Sequence, residues 1–199
     1  NKDILQLKSW TLSDRQLCDI EMILNGGFSP LDGFMNRKDY NSVCEKMRLE
    51  NNLLWPIPIT LDINDELVDT LEINEEIALR DKEGFVIAIL TIGDIWTPDK
   101  EKEAQQIYQT TDIFHPGVNT LLNETHSTYV GGTLKGIHYP KHYDYPQLRH
   151  TPQELRESFD NWGWKDIIAF QTRNPMHRAH IELTKRALNE KNAKLLIHP

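Results

Sequence analysis

The 199-residue chain has 39% apolar and 26% charged residues and a mean hydropathy of −0.55, a composition that excludes a disordered chain and fits one or two globular domains. Its longest apolar run, Phe85 to Leu90 with Thr91 and Ile92 behind it, falls far short of the roughly 20 residues that cross a bilayer, so no membrane span is expected. The net charge of −8 argues against a general nucleic-acid partner, yet it is unevenly divided: residues 1–145 carry 13 Lys and Arg against 24 Asp and Glu, a net −11, and residues 146–199 carry 9 against 6, a net +3. A small anionic ligand near the C-terminal part suits that division. The opening residues have no apolar core of a signal peptide. Cys18 and Cys44 lie in helix-like stretches without metal-ligand spacing, which predicts buried thiols, a reducing compartment and a cytoplasmic location.

Ser13, with Gln16 three residues on, reads as a capping box; Leu17, Ile20 and Leu24 follow at helical spacing and Asn25-Gly26-Gly27 stops the run. A second helix is predicted from Asn36, with Tyr40, Val43, Cys44 and Met47 on one face. Ile57, Ile59 and Leu61 alternate with Pro58, Thr60 and Asp62, which predicts an edge strand. Glu76 to Arg80 turns through Asp81-Lys82-Glu83-Gly84 into Phe85 to Ile92, a predicted hairpin. A third helix is expected from Thr97-Pro98, with Ala104, Ile107 and Tyr108 inward and the Lys-Glu run at 99–103 on a solvated face. From His115 to Pro146 periodicity is poor and Gly, His and Tyr are frequent, which predicts strands and turns leading to a domain boundary near 145.

After that boundary, Thr151-Pro152-Gln153-Glu154 is a second capping box, and Leu155, Phe159 and Trp162 read as a buried stripe. Ile167-Ile168-Ala169-Phe170 is apolar without alternation, as in a strand covered on both faces. A helix with Ala179, Leu183 and Ala187 in a row is predicted from about His177, then a strand at Leu195-Leu196-Ile197. This is one βαβ unit. Its two parallel strands would have bare faces and edges, so the sequence reads as a piece of a longer α/β domain.

The chemistry-bearing residues gather in Gln171-Thr172-Arg173-Asn174-Pro175-Met176, a loop that leaves the carboxyl end of a strand and enters a helix, where open α/β sheets bind ligands. Pro175 removes one N–H and biases Asn174 away from the α region. The remaining N–H groups and the positive end of the helix dipole suit an anion. Arg173 adds a fork for two oxygens of a sulfate or phosphate, and Gln171, Thr172 and Asn174 add neutral donors. His177 and His180 are expected on one face of the first helical turn, within reach of one phosphate whose oxygens gain charge as phosphorus becomes five-coordinate. Arg178 is expected to point to solvent or a second chain. The residues alone leave other readings open: a surface histidine pair, two metal ligands with His198 as a third, or Arg173 as the ion-pair partner of Glu182. The other six histidines, His138, His142 and His150 among them, are read as structural or exposed, and Trp162 and Trp164 as core or interface residues.

The ten residues Gln171 to His180 resemble the signature loop of the sulfate adenylyltransferase (ATP sulfurylase) family. Asn25-Gly26-Gly27-Phe28-Ser29-Pro30-Leu31-Asp32-Gly33-Phe34-Met35 and His115-Pro116-Gly117-Val118 resemble that family's N-terminal domain, so the resemblance covers the whole chain. It implies an α+β PUA-like domain over residues 1–145, followed over 146–199 by the N-terminal part of an α/β Rossmann-like adenylyltransferase domain. The implied activity moves AMP from MgATP to sulfate, giving adenosine 5′-phosphosulfate and pyrophosphate without a covalent enzyme intermediate, the first step of sulfate assimilation. By that resemblance Gln171 and Arg173 would hold sulfate, Thr172 and Asn174 would position the reacting groups, and His177 and His180 would stabilise the transition state at the α-phosphate. Sulfate is already deprotonated at neutral pH and needs no general base. Mg2+ would arrive with ATP, because no acidic cluster is read as a protein metal site, and a homo-oligomer is compatible with the resemblance. A second family motif, Gly-Arg-Asp-His-Ala, is absent, which bears against turnover by this chain alone. Two rivals stay open. Adenylyl transfer to another acceptor, such as a phosphorylated vitamin precursor, is disfavoured by Arg173, and a non-catalytic PUA-like RNA-binding module is disfavoured by the charge of −11.

Overall fold

The structure of the protein, a computed structural model, describes residues 4–198. Tertiary contacts divide the chain into two units, with the break between Tyr143 and Asp144. The first unit runs β1 (Ser9–Thr11), α1 (Asp14–Leu24), β2 (Gly33–Phe34), α2 (Arg37–Lys46), β3 (Leu61–Ile63), α3 (Asp65–Val68), β4 (Glu76–Arg80), β5 (Val86–Trp96), α4 (Lys100–Tyr108), α5 (Pro116–Asn119), a π-helical turn (Thr120–Glu124) and β6 (Thr128–Gly136). Its sheet is mixed: β1 is parallel to β4, while β4–β5, β5–β6, β6–β2 and β6–β3 are antiparallel.

The Ser13 capping box forms as its sequence predicts, Ser13 Oγ accepting from the Gln16 N–H and Gln16 Oε1 accepting from the Ser13 N–H. Gln16 does more than cap. Its side chain also accepts from the Trp10 indole at 3.0 Å and donates to the Asp62 backbone and carboxylate at 2.8 and 2.9 Å, which ties α1 to β3. Asn36 caps α2, and Tyr40, Val43 and Cys44 are buried, but Met47 is exposed: it takes the left-handed conformation at the helix end and leaves the buried face. Cys18 is exposed, contrary to the expectation for both thiols, because it faces away from the Ile20 side of α1. Burial pushes the Cys44 thiol up to about 12.

The strand expected from Ile57 starts only at Leu61, since Ile57 is exposed and Pro58 has no N–H to give a ladder. The hairpin of β4 and β5 is as predicted, and β5 continues past a bulge at Ile92/Asp94 to reach Trp96. Helix α4 begins at Lys100, capped by Asp99, three residues later than Thr97. The run at 99–103 is a solvated face only in part, with Asp99, Glu101 and Lys102 exposed. Lys100 Nζ donates to the Thr125 carbonyl and hydroxyl, and the Glu103 carboxylate is buried, accepting from Tyr40 Oη at 2.9 Å and Tyr129 Oη at 3.1 Å. Burial raises the Glu103 carboxyl above the usual carboxylate range and outweighs the two hydroxyl bonds that lower it; burial likewise raises both phenols.

Between His115 and Thr128 the expected strands and turns are helical. His115 Nδ1 accepts from the Val118 N–H to start α5, and a Cβ on Gly117 would lie 2.6 Å from the Tyr108 ring. Gly33 of the 25–35 motif and Gly132 of β6 are packing requirements: a Cβ on Gly33 would sit 1.8 Å from the Gly132 carbonyl oxygen, and one on Gly132 would sit 2.1 Å from that of Thr91. These contacts clamp β2, β6 and β5 together. The core is Ile20, Val43, Leu61, Ile63, Ile77, Leu79, Leu90, Ile92, Tyr129 and Val130 with their neighbours.

The second unit runs α6 (Pro152–Asn161), β7 (Ile167–Gln171), α7 (Arg178–Lys191) and β8 (Lys194–His198), with β7 and β8 parallel over five residue pairs. The Thr151–Glu154 capping box forms. The stripe expected behind it is not buried: Trp162 is 60% exposed and lies tilted against Phe159 and Trp164, which stack on each other at the end of α6. Nor is β7 covered on both faces, and in α7 the row Ala179 and Leu183 faces outward while Thr184 is buried. One helix covers one face of two strands, so no apolar side chain among the described residues of this unit is fully buried.

Candidate active site

The loop between β7 and α7 begins with Gln171, the last residue of β7 and paired in register with His198. The Thr172 N–H donates to the His198 carbonyl at 3.0 Å, extending the ladder by one bond. The Thr172 hydroxyl then closes the loop on itself, donating to the Asn174 carbonyl at 2.8 Å and accepting from the Asn174 N–H at 3.1 Å. This hydroxyl is committed to shaping the turn. The consequence is that Arg173 and Asn174 are carried outward: both are exposed, and among the described residues neither side chain has a hydrogen-bond or ion-pair partner. Glu182 pairs instead with Arg186 at 3.0 Å on α7, which removes the ion pair considered for Arg173.

Helix α7 starts one residue later than the histidine spacing suggests. His177 is its N-cap, with extended backbone angles of −73° and 160°, and His180 is the third helical residue. The two are therefore not stacked on one helical turn, yet the reversal of the chain at the cap still brings their rings to 5.7 Å at 78°. His180 Nδ1 accepts from the His177 backbone N–H at 3.4 Å, and its ring packs against Phe170 of β7 at 5.5 Å. An imidazole nitrogen that accepts an N–H carries no proton, so neutral His180 holds its hydrogen on Nε2. The Phe170 contact has no signal in periodicity, because an apolar residue one place before a strand end looks like any core residue. Arg178 is exposed.

The structure thus brings Gln171, Arg173, Asn174, His177 and His180 to the carboxyl edge of β7, with the free N–H groups at the start of α7 beside them. A cationic fork, neutral amides and a donor imidazole at a helix N-terminus can hold a tetrahedral oxyanion and donate to a second phosphorus-bound oxygen. Among the described residues no three His, Cys, Asp or Glu side chains converge as metal ligands would, and His198 is not drawn to His177 and His180 as a third ligand.

Residues 1–139 match the family profile of the PUA-like domain and residues 146–199 that of ATP-sulfurylase. The chain is 52% identical over 193 residues to a sulfate adenylyltransferase of Kluyveromyces lactis, covering 97% of this chain and 38% of that protein. The chain belongs to the sulfate adenylyltransferase family. Relatives of the same name from Saccharomyces cerevisiae and Schizosaccharomyces pombe are 52% and 48% identical, over 96% and 100% of this chain and 37% and 41% of theirs. A solved structure described as a hexameric APS kinase from Thiobacillus denitrificans is similar with a TM-score of 0.77 and 36% identity, covering 98% of this chain and 34% of that one. The chain therefore spans 37 to 41% of the length of these curated relatives. Its fold is an α+β PUA-like domain followed by the opening α/β segment of an ATP-sulfurylase domain. No described helix is long and apolar enough to cross a membrane.

Proposed function

We propose that the protein containing this chain transfers AMP from MgATP to inorganic sulfate. A sulfate oxygen attacks the α-phosphorus, the bond from that phosphorus to the bridging oxygen breaks, and pyrophosphate leaves as adenosine 5′-phosphosulfate forms. Gln171 and Arg173 hold sulfate, Thr172 and Asn174 set the loop and the approach of the reacting groups, and His177 and His180 donate to oxygens of the α-phosphate as charge grows there. The observation that carries the reading is the self-closed Thr172–Asn174 turn, which leaves the Arg173 fork unpaired in the loop that leads into the His177–His180 pair. Two polyanions must be brought together against their repulsion, and fixed donors that need no rearrangement do this most effectively.

Mg2+ enters as part of the substrate, bound to the phosphates of ATP. We assign residues 1–145 as the PUA-like domain and 146–199 as the N-terminal part of the catalytic domain. The net charge of −11 on the first part supports a small-molecule role and disfavours a nucleic-acid partner. A cytoplasmic location and a homo-oligomer complete the proposal, the second supported by the hexameric relative.

The test is pyrophosphate release from MgATP by the full-length protein, with and without sulfate. His180→Asn should lower kcat by about 10²- to 10³-fold with the KM for ATP little changed, the loss expected for one well-placed transition-state donor. Release that does not depend on sulfate would overturn the acceptor.

A further inference from the structure

We infer that Phe170 is a positioning residue for His180: its ring, together with the His177 backbone N–H, holds the imidazole so that Nε2–H is the group presented to the substrate. The inference rests on the reading of His180 as a donor to the α-phosphate. Side chains alternate across a strand, so Phe170 and Gln171 of β7 face opposite sides of the sheet, and Phe170 is on the side of α7. Its ring centroid is 5.5 Å from that of His180, inclined at 47°. His177 closes a second side of the same imidazole, at 5.7 Å and 78°, and the His177 N–H meets Nδ1 at 3.4 Å.

These contacts have different jobs. The backbone N–H selects the tautomer, because a hydrogen on Nδ1 would face another N–H. At 3.4 Å it is long and weak, and it cannot by itself stop the ring from turning. A half-turn of the ring would exchange its nitrogen and carbon positions and carry the Nε2–H away from the loop. The Phe170 face restricts that turn, which is a service of shape and not of charge. A residue that only filled space at this position could be replaced by any side chain of similar volume.

The experiment uses Phe170→Met, which keeps volume but not a ring, Phe170→Leu, and Phe170→Tyr, which keeps the ring. In the full-length protein the Met and Leu variants should lose about 10- to 100-fold in kcat with the KM for ATP unchanged, the scale of a reacting group displaced by about an ångström. Phe170→Tyr should restore most of the rate. In the same full-length protein, long-range proton–nitrogen NMR should show His180 protonated on Nε2 in the parent and Tyr variant and a mixture of tautomers in the Met variant. Melting temperatures recorded on the same proteins identify a variant that has unfolded. Unchanged kcat and unchanged tautomer in Phe170→Met would overturn the inference, as would a Tyr variant as slow as the Met variant. If His180→Asn retains full turnover, the donor role of His180 fails, and with it the positioning role, whereas a slow His180→Asn beside a normal Phe170→Met rejects the positioning role alone.

Discussion

Replacing Glu103 should reveal how much of the first unit depends on one buried carboxylate. Glu103 is 6% exposed, and its Oε2 accepts from Tyr40 Oη at 2.9 Å and Tyr129 Oη at 3.1 Å. Glu103→Ala leaves two buried hydroxyls without their acceptor, at about 1–3 kcal/mol each, so the loss should be about 2–6 kcal/mol. That is a large part of the roughly 5–15 kcal/mol that holds a domain folded. Glu103→Gln keeps an acceptor in place and should cost about 1 kcal/mol or less. The two differ most usefully in pH dependence. Burial raises the carboxyl, more than the Tyr40 and Tyr129 bonds and the charges of Lys100 and Arg15 lower it. The native state therefore keeps this proton to a higher pH than the unfolded chain, whose carboxyl titrates near about 4.3. Between those two values the native state binds more protons, so the Glu103 contribution is full below the unfolded value and is lost as pH rises through the native one. The assay is urea unfolding read by tryptophan fluorescence, to which Trp96 contributes from 5.6 Å to Tyr40 and 5.8 Å to Tyr129. The difference between parent and Gln variant cancels the other carboxylates, and it should shift in favour of the Gln variant as pH rises. A difference that stays constant from about pH 4 to 8 refutes the reasoning.

Ser13→Ala should destabilise the first unit by about 1 kcal/mol, because the Gln16 N–H loses its cap, and a urea midpoint unchanged from the parent would count against it. Gly33→Ala should cost about 3 kcal/mol or more, since the added methyl meets the Gly132 carbonyl; the check is a melting curve, and parent-like stability would show that β2 can move aside. Arg173→Lys in the full-length protein should lower kcat/KM for sulfate by at least about 10-fold, because a point charge cannot reproduce two parallel N–H bonds, and normal sulfate dependence would place sulfate elsewhere.

Caps were the most legible part of the sequence. Ser13 with Gln16, Asn36, and Thr151 with Glu154 each start a helix where the side chain itself supplies the missing acceptor, a property of three or four adjacent residues. The hairpin at Asp81–Gly84 was legible for the same reason. Burial was less so. Met47 and Trp162 carry apolar side chains at helical spacing, but Met47 leaves the helix at a left-handed residue and Trp162 ends α6 in a unit where only α7 covers a face of the two strands. The opposite error occurred at Glu103, a charged residue in a charged run that is buried because two tyrosines distant in sequence reach it. At the candidate site the loop 171–176 could be read from residue chemistry, yet the cap role of His177, the self-closed Thr172 turn and the Phe170 contact depend on where the helix actually begins.

Strand β6 pairs with β5 along one edge and shares its other edge between β3, opposite Thr128–Val130, and β2, opposite Gly132 and Thr133. It is also the last strand of the first unit to leave the ribosome. Three earlier strands must then wait for β6 before their ladders with it can form, and Gly33 of β2 waits for Thr133, 100 positions further along the chain. Contacts so distant in sequence are slow to form, and until they do the edges of β3 and β5 stay open to other chains. A synthesis pause before β6 has left the ribosome would therefore hold this domain in its most association-prone state, whereas a pause after its release would not.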